Sequence, residues 1–295
     1  MQLNLGQKSD ILGAVSPMRE MGAYEALWDQ QGASFKKIAD LFRKYPNSLP
    51  SDHVTEDDVE EYLDKTKRLI TQYGVLKFGV RVHGGGEYPE GLRDADHPVE
   101  VFYYQGWWDL IYSKSVAVVG TRNPTEDGVN RTRKLVKCLV EDGFTIVSGL
   151  AKGVDTIAHT TAISLGGNTI GVIGTPLSQS YPKENARLQD TVRNNFLLIS
   201  QVPFYRYSKH GPQYNKTFFP QRNITMSAIT KATVIVEAGE TSGTLIQARA
   251  ALKQGRKLFI LDSCFKNPNI TWPKKYEAMG AIRVQGYDDI RSSLV

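Results

Sequence analysis

The stretch from Val116 to His159 constrains the fold more than any other part of the chain. It reads Val-Ala-Val-Val-Gly-Thr-Arg over 116–122, then a helical run, then Phe-Thr-Ile-Val-Ser-Gly-Leu-Ala-Lys-Gly-Val-Asp-Thr-Ile-Ala-His over 144–159. Twice, a short continuous apolar run ends in a glycine-bearing turn and a helix start. Such runs suit strands buried on both faces, and the turn-to-helix step offers a phosphate backbone N–H groups and the positive end of a helix.

The alternation continues to the end of the chain. Strands are expected at Val116–Val119, Phe144–Val147, Thr169–Ile173, Phe196–Ile199, Thr233–Val236, Leu258–Leu261 and Ala281–Val284. Helices are expected at Gly128–Glu141, Val154–Leu165, a stretch ending at Arg193, Ile224–Ile229, Gly243–Lys253 and the C-terminus. This predicts an α/β fold with a mostly parallel sheet covered by helices on both faces. Residues 201–225 read as a long loop. Residues 76–115, with the turn His83-Gly-Gly-Gly-Glu-Tyr-Pro89, read as a connector and the start of the core.

Residues 1–75 read as helical. Tyr24, Leu27 and Trp28, then Phe35, Ile38, Ala39 and Phe42, follow helical spacing, and Thr55 with Asp58 forms a capping-box pattern. The division expected is thus 1–75, 76–115 and 116–295. Asp52 to Asp64 holds seven acids and no Lys or Arg. A solvated helix start explains that run, and a partner-facing surface is the alternative.

No apolar run reaches membrane-spanning length, and the first ten residues lack a signal-peptide pattern, so a cytoplasmic protein is expected. Cys138 and Cys264 have no metal or redox spacing and read as free thiols. No metal or cofactor is expected. The net charge of +5 suits a polyanionic partner.

The chemistry-bearing segments sit at strand ends. Gly120, Thr121 and Arg122 offer close backbone approach, a hydroxyl and a bidentate phosphate fork. Gly149 and Gly153 bracket a turn, with Lys152 between them, that can form an anion nest. It is neither a Walker loop nor the Gly-x-Gly-x-x-Gly fingerprint. Asp155 and His159 lie one helical turn apart. They organise that turn or, alternatively, form a metal or catalytic pair. Ser242, Gly243 and Thr244 can present hydroxyls and amides to an anion or simply cap a helix, and Glu237 is a ribose ligand or a network member.

Segment 201–225 suggests which polyanion. It holds Phe204, Tyr205, Tyr207, Tyr214, Phe218 and Phe219 with Arg206, Lys209, Lys216 and Arg222, and no acid. Aromatic faces with interleaved cations suit a single-stranded nucleic acid, with Phe204, Tyr205, Tyr207 and Phe219 as stacking candidates. The alternative is an aromatic segment packed on the sheet or at a dimer contact.

Five motifs in order carry a family resemblance: Gly120-Thr-Arg122, Ser148 to His159, Tyr181-Pro-Lys-Glu-Asn185, Phe218-Phe-Pro-Gln-Arg-Asn223 and Glu237 to Ile246. With Tyr88-Pro-Glu-Gly-Leu92 and the tail from Gly280 to Ile290, the chain resembles the DprA/Smf DNA-processing proteins. The resemblance implies an extended Rossmann-like core preceded by a small helical, SAM-like domain. It implies single-stranded DNA binding, delivery of the strand to the RecA recombinase in recombination or natural transformation, and a homodimer. Carried over by motif, the DNA contacts are Arg122, Lys183, Arg222 and Asn223, with Gly149, Gly153 and Ser242 to Thr244 shaping the same pocket. The chain departs from the family pattern at Gln201, Ile224, Gln247 and Asp262-Ser263.

A non-enzymatic DNA-binding protein is therefore expected. Two other classes stay open. One is a nucleotide sensor or phosphoribohydrolase-like enzyme, although the Pro-Gly-Gly-x-Gly-Thr loop of that class is missing; release of base from nucleoside monophosphates would reveal it. The other is a related protein of phage defence, which genomic neighbourhood would reveal.

Overall fold

A computed structural model describes residues 15–294, so the signal-peptide reading of the first ten residues lies outside the described part. Nine strands form one sheet: β1 (Gly79–Val82), β2 (Val101–Gly106), β3 (Ser115–Val119), β4 (Thr145–Ser148), β5 (Thr169–Ile173), β6 (Leu197–Ser200), β7 (Ala232–Ile235), β8 (Lys257–Leu261) and β9 (Ile282–Val284). Their order is β1-β2-β6-β5-β4-β3-β7-β8-β9. From β6 to β9 all pairings are parallel, while β2 runs antiparallel to β6 and β1 antiparallel to β2. The expected parallel sheet is present, and residues 76–115 extend it by an antiparallel pair.

Every residue of β3 to β7 is buried, which is why these strands read as unbroken apolar runs. Alternate residues serve opposite faces. Val116 and Val118 join one cluster with α4 (Glu126–Glu141), α5 (Val154–Ser164) and α13 (Tyr287–Leu294). Ala117 and Val119 join the other, against α6 (Ala186–Asn195), α9 (Phe218–Ala228), α10 (Thr244–Lys253) and α12 (Trp272–Ala278). The four-residue α11 (Asp262–Phe265) follows β8.

The helices α1 (Pro17–Asp29), α2 (Phe35–Lys44) and α3 (Glu56–Gln72) pack into this second cluster through Met21, Tyr24, Leu27 and Trp28 of α1, Ile38 and Phe42 of α2 and Ile70 of α3. The capping box holds: Asp58 N donates to Thr55 Oγ1 at 3.1 Å and Thr55 N to Asp58 Oδ2 at 3.2 Å. A buried carboxylate ties α1 to the sheet. Glu25 accepts from Tyr103 Oη (2.7 Å), Phe204 N (2.8 Å) and Tyr205 N (3.0 Å), and burial pushes its carboxyl up to about 7.

The long loop expected at 201–225 is instead three helices: α7 (Phe204–Lys209), α8 (Pro212–Asn215) and the start of α9, which begins six residues earlier than the helix expected at Ile224. Pro203, Pro212 and Pro220 read as breakers. Each sits at a helix N-cap or in a first turn, where proline costs no intrahelical hydrogen bond. No helix among the described residues is long and apolar enough to cross a membrane.

Candidate nucleic-acid interface

The strand order reverses at β3. The chain leaves β3 toward β4 on one side, and β7 lies on the other. Loops leaving two such strands part in opposite directions and open a crevice at their carboxyl ends. A cleft of about 470 Å³ lies there, lined by Gly120, Thr121 and Arg122 after β3, Gly239 and Thr241 to Thr244 after β7, and Arg222 and Asn223 of α9.

The Gly120–Arg122 turn is held by its backbone. Thr121 N donates to Glu237 O (2.7 Å), and Val154 N donates to Thr121 O (3.1 Å). A Cβ on Gly120 would lie 2.6 Å from Val154 Cγ2 and 2.7 Å from Glu237 O. Gly153, at φ 75°, lies against the backbone of Thr121 and Arg122 so closely that a Cβ has no room. Gly153→Ala should therefore cost about 1–3 kcal/mol of stability through backbone strain, and weaken anion binding by displacing Arg122. Urea denaturation and oligonucleotide titration would check both. Arg122 itself is exposed, and its guanidinium makes no hydrogen bond or ion pair among the described residues.

The neighbouring turn departs from expectation. Asp155 Oδ2 accepts from Gly149 N at 3.1 Å and from Ala151 N at 3.4 Å. An internal carboxylate therefore takes the amides that were expected to form a nest for an external anion. The glycines serve packing instead. Gly149 leaves room for the Arg222 guanidinium, which a Cβ would strike. Arg222 is only 6% exposed and donates through Nη1 to Gly149 O and to Val172 O (2.7 Å).

The charges here form a buried chain. Burial lifts the Asp155 carboxyl above its ordinary range while Arg222 opposes the shift. Burial also lowers Arg222; Asp155 offsets this and Arg122 adds to it. Arg122 and Arg222 thus bring like charge to the same cleft, and an anion bound there would offset it. The alternative of a metal or catalytic pair at Asp155 and His159 does not hold. His159 is fully buried, with Nδ1 2.7 Å from Thr169 Oγ1, and no cluster of three metal-ligating groups occurs among the described residues.

His159 has a measurable consequence. Burial lowers its pKa from 6.5 to about 4. The unfolded state then binds more protons between those values, so the stability tied to neutral His159 is complete above pH 6.5 and is lost as pH falls toward 4. The unfolding free energy of wild type relative to His159→Gln should fall by about 3 kcal/mol from pH 7 to pH 4. Urea titrations at the two pH values measure that difference.

A second cleft of about 520 Å³ shares Arg122, Ala151 and Arg222 with the first and adds Gly149, Lys152, Tyr181, Pro182, Lys183, Glu184 and Phe219. Asn185 fastens its rim to the β4 turn by donating to Leu150 O (2.8 Å), Ala151 O (3.2 Å) and Thr156 Oγ1 (2.9 Å). Lys152 pairs with Glu184 at 2.8 Å, whereas exposed Lys183 has no ion pair among the described residues. The two clefts make one groove along the carboxyl edge of the sheet, with the two arginines at its divide.

The remaining candidates separate. Thr244 N donates to Ser242 Oγ (3.2 Å) and Asn223 Nδ2 to Gly243 O (3.1 Å), so these residues brace the turn before α10 and line the first cleft together. Glu237 accepts from Thr125 Oγ1 (2.8 Å) and lies 3.6 Å from Arg131, which makes it a network member. Lys216 is exposed and lines neither cleft.

Phe204 cannot stack on a base: it is 2% exposed, packed between Tyr103 and Phe78. Tyr205 meets Tyr62 of α3 edge-on at 5.3 Å, and Tyr207 packs on Phe218 at 6.0 Å. Of the four stacking candidates, Phe219 alone lines the groove. Sequence reasoning missed Tyr181, which is 52% exposed at the second cleft, because its motif was read only for its lysine.

Three of the departures find partners, while Gln201 Nε2, Gln247 Oε1 and Ser263 Oγ are buried without one among the described residues. Gln201 accepts from Thr225 Oγ1, Gln247 Nε2 donates to Thr233 Oγ1 (3.2 Å), and Asp262 accepts from Arg283 Nε (2.7 Å).

Comparison with known proteins agrees with this geometry. Residues 80–295 match the family model described as DNA recombination-mediator protein A. The chain is 32% identical over 240 residues to the DNA processing protein DprA of Bacillus subtilis, covering 81% of this chain and 79% of that protein. It is 41% identical over 175 residues to DprA of Streptococcus pneumoniae, covering 59% of each. The X-ray structure of S. pneumoniae DprA superposes with a TM-score of 0.74 at 26% identity, covering 94% of this chain and 98% of that one. The Helicobacter pylori DNA processing protein A, whose structure was described for its single-stranded DNA binding mode, superposes at 0.62 with 26% identity, over 75% and 96% of the two chains.

Proposed function

The chain belongs to the DNA recombination-mediator protein A family, the DprA/Smf proteins, and on that premise we propose that it binds single-stranded DNA in the carboxyl-edge groove and delivers the strand to the RecA recombinase. The observation that carries this is the pairing of exposed Arg122 with buried Arg222, both lining two joined clefts at the switch point. Two guanidinium groups lining one groove favour an anion there, and successive phosphates of a strand supply one. Lys183 extends the positive rim, and Asn223 with Ser242 to Thr244 lines its far side. The proposal includes a homodimer and residence in the cytoplasm.

We read the protein as a binding protein rather than an enzyme. A phosphoribohydrolase-like reaction needs an acid free to act in the cleft. The acids after β7 are engaged instead, Glu237 with Thr125 and Arg131 and Glu240 with Thr271.

Two measurements test the proposal. Fluorescence anisotropy should show tighter binding to a single-stranded oligonucleotide than to its duplex; equal binding would contradict it. Addition of the protein should speed RecA filament formation on strands already coated with single-strand-binding protein. No acceleration would remove the delivery step and leave strand binding standing.

A further inference from the structure

We propose that a third cleft, between α4 and α13, is a binding site for a small amphipathic organic anion, one with an apolar or aromatic body and a phosphate or carboxylate head. The inference does not rest on strand binding. This cleft shares no lining residue with the two that make up the groove.

The cleft has a volume of about 390 Å³ and opens beside the carboxyl ends of β8 and β9. That is the size of a small-molecule site, and such sites combine an apolar lining with a few convergent polar groups. Leu135 of α4, Leu261 of β8, Val284 of β9 and Ile290 of α13 form the floor, and all four belong to the core cluster on this face of the sheet. The Tyr287 ring forms one wall. Its hydroxyl donates to Asp142 Oδ2 at 2.7 Å, so the ring is held before a ligand arrives and the ordering cost of binding is reduced.

The polar groups are mostly donors. Arg131, Lys134 and Lys266 line the cleft with a single acid, Asp262. Asp262 is already occupied, accepting from Arg283 Nε at 2.7 Å and pairing with Lys266. Lys134 is exposed and makes no ion pair or hydrogen bond among the described residues. Arg131 is only loosely paired, 3.6 Å from Glu237 and 3.8 Å from Asp127. Its Nε and the Ser263 Oγ are buried with no hydrogen-bond partner among the described residues. A buried donor without a partner costs free energy. An anionic head at this end of the cleft supplies the missing acceptor, and the apolar floor takes the body of the molecule. A neutral hydrocarbon would leave both donors unpaired, and a cation would meet three like charges.

The test uses the full chain and anilinonaphthalene sulfonate, an aromatic anion that fluoresces when bound to apolar surface. Wild type should bind it saturably. Lys134→Glu should weaken binding about tenfold or more, because an attracting charge becomes a repelling one. Cys138→Phe, which fills the cleft from α4, should abolish it. Adenosine monophosphate and octanoate then serve as competitors: displacement by the first points to a nucleotide-like ligand, and by the second to an acyl-chain one. Displacement by neither would overturn the proposal. A further readout needs no variant. Cys138 is half-buried in this cleft, whereas Cys264 is 3% exposed, so N-ethylmaleimide should modify Cys138 first. The displacing anion at about ten times its Kd should slow that reaction about tenfold. An unchanged rate, or dye binding indifferent to Lys134→Glu, would overturn the site.

Discussion

Arg122→Ala should weaken single-stranded DNA binding about 10- to 100-fold across sequences, without changing the stability of the fold. The loss follows from removing charge-assisted hydrogen bonds worth about 1.5–3 kcal/mol to a phosphate. The fold is spared because the exposed guanidinium has no hydrogen-bond or ion-pair partner among the described residues. A second signature separates a phosphate contact from general damage. The slope of log affinity against log salt should become shallower by about 0.7 for each single-strand phosphate contact removed. Anisotropy titrations at several salt concentrations give affinity and slope together. An unchanged affinity would show that the turn after β3 does not hold the strand.

Arg222→Ala should act first on stability, with a loss of about 3–6 kcal/mol from two charge-assisted hydrogen bonds. Arg222 donates to Gly149 O and Val172 O and its charge favours the ionised form of buried Asp155, so its removal takes away two charge-assisted hydrogen bonds and the cation that favours that carboxylate. Asp155→Asn in the same chain should recover part of that loss, since it removes the buried charge that Arg222 favours. The coupling appears as non-additivity in a double-mutant cycle of urea denaturation. A variant as stable as wild type would mean that the arginine is not tied into the turn. The two arginines therefore have separable roles: Arg222 is fixed by the fold, and Arg122 is left for the ligand.

These roles also mark what the sequence could reveal. The succession β3 to β7 was legible because strands buried on both faces need unbroken apolar runs, and Val116–Val119 or Thr169–Ile173 show them plainly. The switch-point turn was legible for the same reason: Gly120-Thr-Arg122 directly follows such a run. The helices from Phe204 to Phe218 were hidden by prolines that sit at their N-caps and first turns. The inward turn of Asp155 was hidden because it depends on local geometry, with Leu150 at a left-handed φ of 57°. Arg222 reads as a surface residue until Gly149, 73 positions away, is brought beneath it. Phe204 was misplaced because composition does not say which face of a helix meets the core.

The most direct test of the account is to map where a bound strand touches the protein. A single-stranded oligonucleotide substituted with 5-iodouracil is photocrosslinked to the wild-type chain, and the modified peptides are identified by mass spectrometry. The account predicts adducts on the peptides holding Tyr181 and Phe219, lost when excess unlabelled single strand is added. Adducts confined to the N-terminal helices or to α4, with the groove peptides unmodified, would contradict it.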